Sequence, residues 1–287
     1  FKNTFRIYPL AQAKNPPATE FVNLSNKQYN TIHGSDSSFF DEINAVIQYE
    51  PAESYDPEIV GLAAAIGIKK GQDFKPDDRM KKILAEAAAI GNASARAITF
   101  RPRNKNAFFY PDRQWYSPLA AGSHEFLNNG ERVLDDRVGF YFYATGSTPA
   151  MVMPQVGQGS IYEIAATDSN GNPLDGGKNY SVTLPGPIPM KNFWSFMVYD
   201  NHTRSILETD MISGGIDSNK KGINIADDGT ATVYFGPKPP AGQENNWVQT
   251  IPGKGYNVLL RLYSPLQPWF DRSWKPGDFE LISPQNL

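Results

Sequence analysis

Short runs of apolar and aromatic residues, separated by turn sequences, dominate the chain from residue 101 onward. Alternating runs of this length are typical of β-strands, and clusters of Asp, Asn, Gly and Pro between them are typical of turns. Regularly spaced short strands predict an antiparallel sandwich, and the pattern favours a jelly roll. The predicted strands cover residues 141–144, 160–167, 180–184, 193–199, 230–235 and 256–263, and the clearest turns lie at 168–173, 175–177 and 227–229.

Two segments, 191–200 and 255–263, are densely apolar and form the predicted centre of the sheet. Side chains alternate along the first of them, so that Phe193 and Met197 lie on one face and Trp194 lies on the other. A strand that is apolar on both faces is either covered on both sides or lines a pocket with one of them. The pattern leaves both arrangements open.

Residues 36–98 change to the spacing of amphipathic helices. An Asp-Ser-Ser sequence at 36–38 supplies the cap of a first helix, which Pro51 ends. The Asp-Pro pair at 56–57 places a cap before a proline at the first helical position. A Pro-Asp-Asp sequence at 76–78 begins the longest helix. The segment is therefore predicted to be a small module of three helices.

Residues 1–8 alternate between apolar and polar positions up to Pro9 and predict a strand, which must pair with a later sheet or with an upstream module. An Asn-Pro-Pro linker follows at 15–17. The chain is therefore predicted to have an α+β fold. Its parts are an N-terminal strand and linker at 1–20, a helical module at 21–100 and a jelly-roll-like antiparallel β-sandwich at 101–287.

Composition and charge exclude several classes of function. A net charge of -3 provides no basic stripe for nucleic acid. The longest apolar stretch, 60–68, is far shorter than the roughly 20 residues that span a bilayer. There is no cysteine, which excludes disulfides, thiolate metal sites and cysteine nucleophiles. The phosphate-binding and dinucleotide-binding glycine motifs are absent, and no cofactor is predicted.

No metal site is predicted either. None of the three histidines belongs to a metal-spaced pair, and the sequence at 124–128 begins like H-E-x-x-H but ends in Asn128. The turn at 168–172 carries oxygen side chains at alternate positions, as a calcium loop does. Asn179 stands where such a loop needs a glutamate, so a hairpin turn is favoured.

A polar cluster follows the central strand directly. His202 is a candidate general base, with Asp200 holding its tautomer and Arg204 binding an anion. The competing interpretation is a turn in which Asp200 caps backbone amides and Arg204 pairs with a nearby carboxylate. That turn is favoured, because a catalytic role depends on a geometry that the sequence does not give.

Aromatic residues concentrate in the last forty positions, interleaved with charged side chains. Aromatic rings stack on the C–H faces of sugars while polar neighbours bond the hydroxyls, although packing of the core uses the same residues. Trp269 and Phe270 are interpreted as a hydrophobic latch over the helical module. The candidate ligand-binding residues are Trp247, Arg261, Tyr263 and Trp274.

A set of short motifs spreads over most of residues 130 to 285. They are Gly159-Ser160 with Tyr162, 168–171, 174–176, 193–195, Tyr199-Asp200, 203–205, Asp228-Gly229, 234–237, Asn246-Trp247, 253–255, 261–263 and 274–278. In these motifs the chain resembles the bacterial domain of unknown function 1214, which usually follows a partner domain of unknown function 1254. Segments 48–51 and 66–71 resemble the stretch that joins the two domains.

The resemblance implies an immunoglobulin-like module, a helical module and a C-terminal jelly roll. Most of the first module is absent from this sequence, so the chain is expected to be a fragment of a longer protein. Placement in the periplasm or outside the cell is a further expectation from the resemblance. The family has no settled activity, so no catalytic residue is transferred.

Three classes of function remain open from the sequence. The first is an exported ligand-binding protein with a carbohydrate-like ligand, or a structural protein of the envelope. The alternative is a hydrolase of a small polar or sugar-like substrate that uses Asp200, His202 and Arg204. The third is a homo-oligomer whose exposed strands and aromatic residues serve assembly.

Overall fold

The computed structural model describes residues 5–27, 32–119 and 122–283, and the chain divides into two compact units, Phe1–His33 and Gly34–Leu287. In the first unit, Leu10–Gln12 form a 3-10 turn. Of the strand predicted at 1–8, residues 1–4 lie outside the described residues and residues 5–8 form no strand. An alternating pattern becomes a strand only where a second strand pairs with it. The predicted boundaries at residues 20 and 100 stay predictions.

The second unit begins with the three predicted helices, α1 (Ser38–Tyr49), α2 (Pro57–Ala65) and α3 (Asp78–Phe100). In each, an aspartate just before the helix accepts a hydrogen bond from a free backbone N–H of the first turn. Asp36 accepts from Ser38, Asp56 from Glu58 and Asp77 from Met80, at 2.9, 2.8 and 2.7 Å. No helix within the described residues has the length and apolar character needed to cross a membrane.

A fourth helix lies where a strand was predicted. After a short hairpin of β1 (Leu127–Asn128) and β2 (Glu131–Arg132), α4 spans Leu134–Tyr143. The prediction of a strand at 141–144 is therefore wrong. The Thr99 hydroxyl of α3 donates to the carbonyl oxygen of Gly139 in α4 at 3.3 Å, so the two helices lie in close contact. This packing overrides the strand propensity of the aromatic run.

Two four-stranded sheets form most of the remaining structure. Their strands are β3 (Ser160–Ala165), β4 (Tyr180–Leu184), β5 (Trp194–Asp200), β6 (Gly215–Asp217), β7 (Ala231–Gly236), β8 (Trp247–Gln249), β9 (Tyr256–Tyr263) and β10 (Glu280–Leu281), with the short helix α5 (Gln267–Phe270) after β9. The strand orders are β3-β9-β5-β6 and β10-β4-β7-β8. Every neighbouring pair is antiparallel except β7 and β8. The predicted α+β fold with an antiparallel sandwich is confirmed, and five of the six predicted strands lie within two residues of their observed bounds.

One apolar core joins the two sheets. Trp194, Phe196 and Val198 point into it from β5, and each is fully buried. The ring of Phe196 lies between that of Trp115, at 6.2 Å between centroids, and that of Phe235 on the other sheet, at 5.6 Å. Burial of this much aromatic surface makes the β5 inner face a principal source of stability.

The opposite face of the β3-β9-β5-β6 sheet is covered by the helices at one end. Leu259 of β9 belongs to a buried cluster with Ile164 of β3 and Phe100, the last residue of α3. Tyr199 of β5 meets Tyr143 of α4 edge to face, with 5.9 Å between ring centroids. At this end the central strand is therefore covered on both sides, the first of the two arrangements that its pattern allowed.

We expect Phe196→Ala to lower the free energy of unfolding by about 3–5 kcal/mol, because it removes a fully buried ring and leaves a cavity between the sheets. Urea denaturation followed by circular dichroism measures the change. The matched control is Tyr49→Ala, since Tyr49 is 84% exposed and its loss should change stability by less than about 0.5 kcal/mol. A cost below about 1 kcal/mol for Phe196→Ala would contradict the described core.

Candidate functional site

A cleft of about 350 Å³ opens beside the first residues of β3. Its walls come from the segments 106–109, 117–119 and 150–154 and from α5 with the residues after it. The side chains that give it chemical character are Phe108, Phe109, Ser160, Tyr162, Trp269 and Arg272. The volume lies in the range of small-molecule binding sites.

The cleft lies where the outer edge of β3 is not covered. Among the described residues, β3 lies at the edge of its sheet with β9 as its ladder partner. On its free side, Ile164 exchanges two backbone hydrogen bonds with Tyr116, both of 2.9 Å. Backbone groups of alternate residues point to the same side of a strand, so the N–H and C=O of Tyr162 also point away from β9. They face the side on which the cleft opens.

Aromatic rings and one guanidinium group form the inner wall. The ring of Trp269 meets that of Phe109 edge to face, with 5.7 Å between centroids. The Arg272 guanidinium lies over both rings, at 4.5 Å from Trp269 and 5.0 Å from Phe109. Arg272 has a left-handed backbone (φ 64°) and donates to the Trp269 carbonyl oxygen at 2.8 Å, which holds it against the wall.

A fully buried carboxyl group lies behind this wall. Glu163 of β3 has no exposed surface, and its Oε1 accepts hydrogen bonds from the Tyr110 hydroxyl at 3.0 Å and from Trp269 Nε1 at 2.5 Å. Its Oε2 has no hydrogen-bond partner among the described residues. Burial raises the pKa of Glu163 to about 7, although the bonds from Trp269 and Tyr110 and the charge of Arg272 oppose the rise. Trp269 thus connects the cleft to an acid that is half protonated near neutral pH.

Glu163, Arg272 and the cleft itself were not predicted from the sequence. One signal was present, because alternation along β3 puts Glu163 on the same inward face as Ile161 and Ala165. A charged residue at an inward position of a strand marks either a paired group or a functional one. Its partners come from Tyr110 and Trp269, 53 and 106 positions away, which the local pattern does not reveal.

The predicted catalytic residues lie together in the turn after β5, but their contacts differ from those of the predicted catalytic arrangement. The Asp200 carboxylate accepts from the backbone N–H groups of His202 and Thr203 at 2.6 and 3.3 Å, and from Lys254 Nζ at 2.6 Å. Burial opposes ionisation, yet the bonds from Lys254 and the turn amides hold the pKa of Asp200 below its ordinary value. This is the backbone-capping arrangement of the turn interpretation, and a catalytic role for Asp200, His202 and Arg204 stays a prediction.

The His202 imidazole faces an arginine of the helical module. Its Nδ1 lies 2.9 Å from Arg96 Nη1 of α3. Arginine only donates, so Nδ1 accepts and the ring carries its proton on Nε2. Arg96 therefore sets the tautomer, a role that the sequence analysis assigned to Asp200.

The four predicted ligand-binding residues are not brought together. Trp247 lies on β8 and donates its indole N–H to the Gly236 carbonyl oxygen, whereas Trp274 is buried in the core and donates to Pro185. Arg261 and Tyr263 share the outer face of β9. Their role in binding stays a prediction.

Of these four, Arg261 lies beside a residue of the cleft. Its guanidinium carbon is 5.5 Å from the centre of the Tyr162 ring, and its Nη2 donates to the Tyr199 hydroxyl at 2.9 Å. Trp269 was interpreted as a latch over the helical module, but it packs into the core of the sandwich instead. Among the described residues, no group of three or more His, Asp or Glu side chains is placed to hold a metal ion.

Comparisons with known proteins support part of the family resemblance. Residues 159–267 match the model of a family described as protein of unknown function (DUF1214). The match confirms the resemblance to domain 1214, while the pairing with domain 1254 stays a prediction. No curated protein matches the chain.

Two solved structures of low similarity span more than this chain. The VPA0106 protein from Vibrio parahaemolyticus is 18% identical with a TM-score of 0.42, and the alignment covers 96% of this chain and 62% of that one. A putative uncharacterized protein from Burkholderia cenocepacia is 17% identical with a TM-score of 0.34, over 86% of this chain and 50% of that one. The chain thus spans 62% and 50% of the lengths of these two proteins.

The buried acid predicts a pH dependence of stability. Folded Glu163 keeps its proton up to about pH 7, whereas the unfolded chain releases it near the ordinary value of 4.5. Between these values the native state binds more protons than the unfolded state, so stability falls as pH rises through the window and this contribution is constant above it. At about 1.4 kcal/mol per pKa unit, the loss is on the order of 3 kcal/mol.

Glu163→Gln should remove this contribution, because the amide keeps the acceptor oxygen and does not titrate. Urea unfolding at a series of pH values should show the variant gaining stability relative to the native chain from about pH 4.5 to pH 7. The exposed Glu86→Gln serves as control and should follow the native chain at every pH. A constant difference between Glu163→Gln and the native chain would show that folding does not raise the pKa of Glu163.

Proposed function

We propose that the chain binds a small carbohydrate-like ligand in the cleft beside β3. The observation that carries the proposal is an aromatic wall with polar groups at its rim. The rings of Phe109, Tyr162 and Trp269 line the cleft, and Tyr162 is 39% exposed. Rings of this kind stack on the C–H faces of sugars.

Polar groups beside these rings suit the hydroxyl groups of a sugar. Arg272 supplies donors, and the Ser160 hydroxyl donates to the Tyr162 hydroxyl at 3.0 Å, which orients both groups. The backbone of Tyr162 adds one donor and one acceptor on the same side. A few fixed polar groups on a largely apolar lining are typical of sites that select small ligands.

Binding is favoured over hydrolysis by the distribution of carboxyl groups. Hydrolysis of a glycosidic bond ordinarily uses two carboxyl groups on opposite sides of the bond. None of the described residues that line the cleft is Asp or Glu, and Glu163 lies behind Trp269. The alternative of a hydrolase has two sets of candidate groups. Asp200, His202 and Arg204 do not line this cleft, whereas Glu163 lies behind its wall with a pKa of about 7, which suits a general acid.

Three further proposals concern the whole protein. Placement in the periplasm or outside the cell and pairing with domain 1254 are supported by the family resemblance alone. Assembly into a homo-oligomer is the third, and light scattering across a concentration series tests it.

The binding proposal predicts the effect of removing one exposed ring. In a thermal-shift screen of neutral mono- and disaccharides, a bound sugar at a hundred times its dissociation constant should stabilise the native chain by about 2.7 kcal/mol. Tyr162→Ala should then weaken binding of that sugar roughly five- to tenfold in calorimetry, because stacking on one ring contributes about 1 kcal/mol.

Tyr234→Ala is the matched control. Tyr234 is a half-buried tyrosine of β7, in the sheet that does not contain β3, and it pairs with Trp247 of the neighbouring strand β8. Unchanged affinity in Tyr234→Ala and weakened affinity in Tyr162→Ala support the cleft. The reverse result would place the sugar at the Trp247 face, and the absence of any sugar that stabilises the chain would refute the proposal. Release of a chromogenic aglycone from aryl glycosides, abolished in Glu163→Gln, would favour the hydrolase.

A further inference from the structure

A second group of functional side chains lies at the junction of α3 with the turn after β5. Arg96 contributes a guanidinium group from α3, and its Nη1 donates to His202 Nδ1 at 2.9 Å. The imidazole therefore carries a hydrogen on Nε2 that is available as a donor. His202 is exposed and Arg96 is half-buried, so a ligand in solution can reach both.

Arg204 brings a second guanidinium group to the same place. Its backbone is left-handed (φ 64°), and its guanidinium carbon lies 4.2 Å from the centre of the Phe142 ring of α4. Nη1 also points to the His202 carbonyl oxygen at 3.4 Å. Burial, and then the positive charge of Arg96, lower the pKa of Arg204. Both guanidinium groups thus contact His202, Arg96 at the imidazole and Arg204 at the carbonyl oxygen, so two like charges meet at one residue.

No carboxylate compensates these charges in the described part of the chain. The ion pairs found there involve neither Arg96 nor Arg204. The one carboxylate of the turn itself, Asp200, is already occupied by Lys254 and by two backbone amides. Charges that are partly removed from water and left unpaired lower stability unless an anion joins them.

We propose that Arg96, His202 and Arg204 form a binding site for a phosphate group, free or as a phosphomonoester. Two guanidinium groups offer planar pairs of N–H donors that match the oxygens of phosphate, and His202 Nε2 adds a donor. Two arginines carry two positive charges, which are balanced by a dianion and only half balanced by a single carboxylate. The site lies outside the cleft and does not depend on the proposed sugar binding.

The test measures binding of inorganic phosphate to the whole chain by calorimetry, at constant ionic strength adjusted with chloride. We expect the native chain to bind phosphate with a dissociation constant below about 1 mM, and Arg96→Gln and Arg204→Gln to weaken it at least tenfold. Arg79→Gln is the matched control on the same helix. Arg79 is exposed and precedes Arg96 by seventeen positions, about 25 Å along the helix, so its loss should leave the affinity unchanged.

A second measurement is independent of binding. Without phosphate and at low salt, Arg96→Gln should unfold at the same temperature as the native chain or above it, because the repulsion is removed, and added salt should reduce the difference. Arg96 is partly exposed, whereas Arg204 packs on the Phe142 ring, so the Arg96 variant tests the site even where Arg204→Gln fails to fold. Equal affinity of Arg96→Gln and the native chain for phosphate, or no binding by the native chain up to about 10 mM, would refute the site.

Glycerol 3-phosphate distinguishes the two sources of the phosphate group. Tighter binding of the ester than of inorganic phosphate, lost in Arg96→Gln, supports a phosphomonoester as the ligand. Equal binding of the two, with the same loss, supports the phosphate group alone.

Discussion

Cover on both faces of one sheet is the constraint on which the rest of the structure depends. Five consecutive residues of β9, 256–260, are buried, which is possible only when both faces of the strand are shielded from water. The second sheet covers one face through the core around Phe196, and α3 and α4 cover part of the other through Phe100 and Tyr143. α3 and α4 thus help to bury the sheet, through a second cluster on its outer face.

The two candidate sites lie where the segments that cover this sheet end. The backbone of Tyr116 pairs with that of Ile164 on the free edge of β3. Two residues before Ile164, at Tyr162, the same edge faces the cleft. On the other side, the turn after β5 passes under α3 and α4, where Arg204 rests on Phe142 and His202 on Arg96. Both sites therefore lie where chain segments distant in sequence meet around one sheet. Neither lies within a single loop.

Local physics was enough to predict most of the fold. The helix caps at Asp56 and Asp77 and the strands 180–184 and 256–263 follow from signals a few residues long, and the structure has them where expected. The run 141–144 has the composition of a strand and lies at the end of a helix, because contact with α3 outweighs propensity. The short strands β6, β8 and β10 were missed since two or three residues carry no periodicity.

The candidate sites were less accessible to sequence reasoning. The turn at Asp200 was identified, but the partner of His202 lies 106 positions away on a helix. Glu163 was overlooked because its neighbours on β3 look like an ordinary strand, and its significance comes from Trp269 and Tyr110. Contacts between distant segments decide chemistry, and a single sequence holds little trace of them.

The orientation of the Tyr162 backbone has a consequence for how the cleft changes through evolution. Its N–H and C=O are present for every residue at position 162 except proline, which lacks the N–H, whereas the aromatic ring is replaceable. Substitution there would alter which ligands fit while keeping one donor and one acceptor in place. The edge of the strand thus provides a constant backbone contact for a ligand, while the side chains around it can change to alter which ligand is selected.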